Sequence, residues 1–266
     1  SAKPLTPSGR EELTNRLAVE IYKLEKTDFT NTSSFSLMPM SDIAINGMIG
    51  FGTFMMICMV LIVAGGSVSQ EISSGSIKSL IISPVKRYKI FFAKLLSVIT
   101  AGLAMALILY IVSIFVHGIF FGFSGGSDYI YAVNGEAREL DFYIFRLAYI
   151  GVGFIDVLVY MVFAYMLSIV TRNTAVSVGV SIAVYFGGNL VNVFLSATSD
   201  IFTGEWTKFV PFNNISLASR IFKDTNDQLR LTDILGSSGN TPSVTFSLVY
   251  LAVLLLCLGY TALDSF

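Results

Sequence analysis

Apolar and polar residues are segregated along this chain in long blocks, not alternated at the short periods of a water-soluble fold. Five blocks are almost wholly apolar, at about residues 47–69, 90–121, 147–170, 175–196 and 244–263. Crossing a hydrocarbon core of about 30 Å as a helix takes roughly 20 residues, and every block reaches that length. The pattern predicts an all-α polytopic membrane protein with five transmembrane helices in residues 47–266, preceded by a polar segment at 1–46. Only Thr171-Arg172-Asn173-Thr174 separates the third and fourth blocks, so those two spans must form a hairpin.

The polar stretches carry their own patterns. In residues 1–46, Leu13, Leu17, Ile21 and Leu24 recur as one stripe of a helix, opposite Glu20, Lys23, Glu25 and Lys26. Such an amphipathic helix either lies on the membrane or a partner subunit, or packs its stripe on its own loop. In residues 122–146, Glu136, Arg138, Glu139 and Asp141 predict a short charged helix, with Tyr129, Tyr131 and Tyr143 as interfacial aromatics. Residues 197–243 mix Ile201, Phe202, Trp206 and Phe209-Val-Pro-Phe212 with polar residues. That mixture predicts a re-entrant segment, which is tolerated where protein or water covers its backbone.

Polar residues inside the blocks are few. Asp156 lies within the third, where a carboxylate must face protein or water. It is a candidate for the substrate path or for an inter-helix polar contact, with Asn189 and Asn192 of the next span as partners. Lys94 can snorkel from the start of the second block. His117, near that block's end, reads as an interfacial polar residue.

Composition sharpens the class. An ordinary soluble domain carries about 25% charged residues; this chain of 266 residues carries 13%, with 54% hydrophobic residues. The net charge of −1 gives no reason to expect a nucleic-acid partner. Cys58 and Cys257 sit inside apolar blocks and read as small buried hydrophobes, not as a disulfide framework or metal ligands. A single histidine excludes a multi-histidine metal site within the chain.

Charge also orients the spans. The connection 70–89 with Lys94, together with the 171–174 turn, carries six of the seventeen Lys and Arg in very few residues. The other eleven are diluted by acids in the three larger polar segments. The positive-inside rule makes the 70–89 loop cytoplasmic and places 1–46, 122–146 and 197–243 outside. An external N-terminal segment without a signal peptide then points to a sixth span upstream in the intact protein.

The connection itself reads QEISSGSIKSLIISPVKRYKIFFAK from Gln70 to Lys94. It holds Glu71, the Ser74-Gly75-Ser76 break, Lys78, a Leu80-Ile-Ile82 turn, Pro84-Val85, Lys86-Arg87, Lys89 and finally Lys94-Leu-Leu. These residues, in that order, resemble the cytoplasmic loop of type-2 ABC transporter permeases. The family's loop runs from an acid after the second span through a Gly-Ser pair, a Leu-rich turn and a Pro-Val-Arg-like segment to a Lys-Leu start of the next span. The likeness is close over about 25 residues and extends loosely to the span pattern and to Phe209-Val-Pro-Phe212. The absent first span and absent basic C-terminal tail depart from the family pattern.

The resemblance implies a membrane permease subunit of an ABC exporter in the cell membrane, working as a homo- or heterodimer with a second permease copy or paralogue. A separate ATPase subunit would bind ATP and Mg and grip the loop through Glu71, Ser74, Gly75, Ser76, Lys78, Pro84, Lys86 and Arg87. The basic residues would meet either acidic ATPase residues or anionic lipid. No G-x-x-x-x-G-K-[ST] phosphate loop occurs in the chain, which agrees with a transport subunit that is not itself the enzyme. Two rivals are an ion-coupled secondary transporter using Asp156 and a membrane-embedded enzyme. The latter lacks clustered acids or histidines within the blocks, and the former lacks a visible internal repeat.

Overall fold

A computed structural model describes residues 40–75, 86–123, 129–133, 135–215, except 198–207, and 217–222 and 243–266, together with scattered positions between 14 and 25. The main elements are α1 (Met40–Gly66), α2 (Ser69–Ser73), α3 (Arg87–Phe121), β1 (Tyr129–Val133), β2 (Glu136–Leu140), α4 (Phe142–Thr171) and α5 (Thr174–Ala197). A 3-10 turn (Pro211–Asn214), α6 (Leu217–Ile221) and α7 (Val244–Ser265) complete them. Five helices are long and apolar enough to cross a membrane, so the protein is an all-α polytopic membrane protein.

The centre of the bundle is α4. Half of its most apolar stretch is buried, against a third for α1 and 17% for α3, α5 and α7. Phe154, Val157, Val159, Tyr160 and Val162 place buried positions all around it, the pattern of a helix enclosed by others. The other spans keep broad apolar faces outward, where lipid is the solvent.

α4 begins five residues before the apolar block does. Asp141 Oδ1 accepts from the backbone N–H of Tyr143 (2.9 Å) and of Ile144 (3.3 Å), an N-cap that starts the helix at Phe142. Arg146 is therefore helical and buried; its guanidinium donates to Asn46 and lies 5.1–5.2 Å from the Phe142 and Phe145 ring centroids. At the other end Arg172 adopts a left-handed conformation (φ 52°), and Asn173 Oδ1 caps α5 through Ala175 N and Val176 N. Those two residues close the α4–α5 hairpin.

Several expectations are corrected. The charged residues 136–140 form a strand, not a helix: β1 and β2 are an antiparallel hairpin in which Val133 pairs with Glu136. Gly135 in the turn has φ +81°, a conformation that favours glycine. The hairpin docks by Tyr129, whose ring stacks on Phe145 at 4.2 Å. His117 is buried, with its ring against Phe121 and Phe142. Cys257 is exposed and Cys58 only half-buried, so neither is a fully buried hydrophobe. In the N-terminal stripe, Leu17 and Ile21 are exposed, whereas Val19 is buried; Leu13 and Leu24 lie outside the described residues. Asn15 Oδ1 accepts from Gly135 N at 2.7 Å, tying that stretch to the hairpin.

Candidate functional site

Two polar clusters lie in the bundle. The first surrounds the elbow between α1 and α2. A serine from another helix interrupts the helical ladder there: Ser168 Oγ of α4 accepts from Val68 N (3.2 Å) and Ser69 N (2.9 Å). An inserted side chain of this kind is a recognised cause of a kink. Ser69 Oγ donates to Gly65 O (2.8 Å) and lies 2.9 Å from Thr174 Oγ1 of α5. Ser177 Oγ of α5 donates to the same carbonyl at 2.6 Å. These hydroxyls satisfy backbone groups that water would otherwise have to reach.

Past the elbow, Glu71 in the first turn of α2 forms an ion pair with Lys94 of α3. Lys94 thus turns inward to a partner instead of snorkelling to a headgroup. Below it, Tyr165 Oη donates to Phe91 O at 3.0 Å, and the Phe91 ring meets those of Tyr165 and Phe266. Ser74 and Gly75 end α2: Ser74 N donates to Gln70 O, Gly75 N to Ile72 O, and Gly75 has φ +72°. A left-handed glycine after the last helical residue is a common helix stop. The five-residue helix is thereby joined to α3 by an ion pair, and to α4 and α5 by hydrogen bonds.

Lys86 and Arg87 are exposed at the start of α3. Ser76, Lys78 and Pro84 lie outside the described residues. The structure therefore brings Glu71, Ser74 and Gly75 together at the elbow and adds Ser69, Lys94, Ser168 and Thr174. The sequence does not single out Ser69 or Ser168, because serine in an apolar block carries no spacing signal, and it marks Thr174 only as part of the 171–174 turn.

The second cluster surrounds Asp156, midway along α4. Its Oδ2 accepts from Leu217 N, at the start of α6, at 3.1 Å. This partner is a backbone group of the 208–222 stretch, not the Asn189 or Asn192 side chain that the sequence suggests. Asn189 is exposed and donates to Tyr185 O of its own helix (2.9 Å), while Asn192, three residues on, is half-buried. Leu217 and Asn214 are fully buried, so this stretch reaches from its connection to the middle of the central helix.

Polar bonds hold it there. Asn214 Nδ2 donates to Lys208 O (2.7 Å) and Val210 O (3.1 Å), and Asn214 Oδ1 accepts from Ser247 Oγ of α7 (3.0 Å). Arg220 donates to Ser247 Oγ (2.9 Å) and to Asn213 O. Burial lowers the Arg220 pKa from its ordinary value, and the Asp156 charge acts in the opposite direction. Opposite them the Phe212 ring fills the space a side chain would take at Gly188 of α5. The cluster is a clamp for backbone and guanidinium. Among the described residues no group of three His, Cys, Asp or Glu is placed to hold a metal ion.

Comparison with known proteins adds a family. Residues 21–263 match the family described as protein of unknown function (DUF2705). "Uncharacterized protein YhcI" of Bacillus subtilis (strain 168) is 30% identical over 200 residues, 73% of this chain and 57% of that protein. "Uncharacterized membrane protein YdbK" of the same organism is 30% identical over 156 residues, 59% of this chain and 58% of that protein. The chain spans under two thirds of the length of either relative. No solved structure matches it.

Proposed function

The chain belongs to the DUF2705 family, and we propose that it is the membrane permease subunit of an ABC exporter. In this reading a separate ATPase subunit, which binds ATP and Mg, drives substrate movement through the α2 elbow. The permease works as a dimer with a second copy or a paralogue in the plasma membrane. The observation that carries the proposal is the bonding of α2. A five-residue helix that merely connected two spans would need no ties to three other helices.

The elbow can transmit force. Displacement of α2 reaches α3 through Glu71–Lys94, α4 through Ser168, α5 through Thr174 and α1 through the chain itself. Such contacts pass motion on because packed helices move as stiff bodies with discrete arrangements. Glu71 then acts inside the permease, setting the position of α2. Arg87, exposed two turns before Lys94, is left to meet an acidic partner.

The test uses the intact complex. Glu71→Ala should leave the ATPase subunit bound but lower substrate-stimulated hydrolysis about tenfold, roughly 1.4 kcal/mol of coupling. Arg87→Glu should reduce co-purification of the ATPase subunit. If both variants bind and stimulate like the unaltered protein, the assignment of the loop is wrong. Transport that persists without ATP and collapses with the ion gradient would instead support a secondary transporter working through Asp156.

A further inference from the structure

The cations that open α3 are not equivalent. Lys86, Arg87 and Lys89 are all exposed. The ion pairs among the described residues are Lys94–Glu71 and Arg138–Glu136, so no described acid compensates these three. Successive residues of an α-helix are rotated by about 100°. Lys89 therefore shares a face with Phe92, Leu96, Leu103 and Leu107, which are exposed large apolar side chains. Lys86 is the N-cap of α3, with extended backbone, and its carbonyl accepts from Lys89 N at 2.9 Å, so the two residues stand together at the helix start. Arg87 precedes Lys94 by two turns and falls on the flank that meets Glu71 of α2.

We propose that Lys86 and Lys89 form a binding site for the phosphate of an anionic phospholipid headgroup, and that Arg87 lies outside it. The apolar stripe from Phe92 to Leu107 offers a track for acyl chains. Lys89 stands about one turn before its first residue, on the side of the polar connection that precedes α3. The four-carbon stem of lysine lets its ammonium reach the headgroup level from either side. Tyr88, also exposed between the two lysines, is of the type that concentrates at headgroup depth. An acidic protein surface would have to enter the membrane edge to reach Lys89, whereas a lipid is already there. The proposal does not depend on the transport reading.

Each cation near an anionic membrane surface contributes about a fivefold gain in association, so the pair accounts for about 25-fold. The chain carrying Trp206→Phe and Tyr88→Trp has one indole, at position 88, and is reconstituted in phosphatidylcholine vesicles. Brominated phosphatidylglycerol and brominated phosphatidylcholine are the quenching probes. Phosphatidylglycerol should quench preferentially. Adding Lys86→Gln and Lys89→Gln should lower that preference about 25-fold, and adding Arg87→Gln instead should leave it within about twofold. An equal loss on Arg87→Gln, or no preference in the starting chain, overturns the proposal. So does a lysine variant that keeps its lipid preference, because the two lysines would then not form the site.

Discussion

Asp156 and Arg220 show how a charge can sit in the middle of an apolar bundle. The carboxylate accepts a backbone N–H and offsets part of the cost of burying the guanidinium. Removing the charge and removing the acceptor are then different experiments. Asp156→Asn keeps an oxygen for Leu217 N and should cost about 1 kcal/mol of stability. Asp156→Ala also leaves that N–H without this acceptor and should cost about 3 kcal/mol. Thermal unfolding in detergent separates the two; equal losses would mean that the hydrogen bond contributes nothing. The sequence shows Asp156 as a residue in need of a partner, because a carboxylate stands out in an apolar block. It does not show the partner, since a backbone N–H sixty-one residues away carries no mark in the side-chain pattern. Arg220, Asn214 and Ser247 are hidden for a related reason: each is an ordinary residue for a polar connection or a helix start.

Gly65 and Gly188 are two of the glycines at which a neighbouring element leaves no room for a side chain. A methyl at Gly65 of α1 would lie 2.9 Å from Val178 Cγ2 and 3.2 Å from Val178 N. A methyl at Gly188 would meet the Phe212 ring. In the first case the obstacle includes backbone, which can yield only if the helices separate; in the second it is a ring that can rotate aside. Gly65→Ala should therefore cost about 2–3 kcal/mol and Gly188→Ala about 1 kcal/mol, again read from unfolding in detergent. A larger loss at Gly188 would show that the Phe212 contact is the more rigid. The element boundaries were legible where apolar blocks end abruptly, as at Thr171–Thr174, and not where a cap overrides the block. Asp141 starts α4 ahead of Leu147 because its side chain binds two free N–H groups, and hydropathy is blind to that. The β-hairpin has a signal of its own: Asn-Gly after the strand-forming run Tyr129-Ile-Tyr-Ala-Val133 is a favoured two-residue hairpin turn in sequence, whereas the charged residues that follow it carry little strand propensity.

On the scale of the molecule, the five apolar helices follow from block length, whereas the enclosed position of α4 does not, because α3 is just as apolar on every side and yet only 17% of its most apolar stretch is buried. Sidedness rests on charge alone. In a chain with Cys58→Ala and Cys257→Ala, a thiol introduced by Glu136→Cys should react with a membrane-impermeant maleimide on intact cells. One introduced by Ser74→Cys should react only after lysis; the reverse pattern would invert the orientation. The clamp around residues 208–222 also has a temporal consequence. Asn214 and Arg220 both bond to Ser247, which lies in the helix made after them. During synthesis this stretch leaves the ribosome before α7 exists, while Asp156 is already in place. Its seating is therefore ordered in two stages: an early attachment to α4 and a late closure by α7. The last span acts as the bolt that completes assembly.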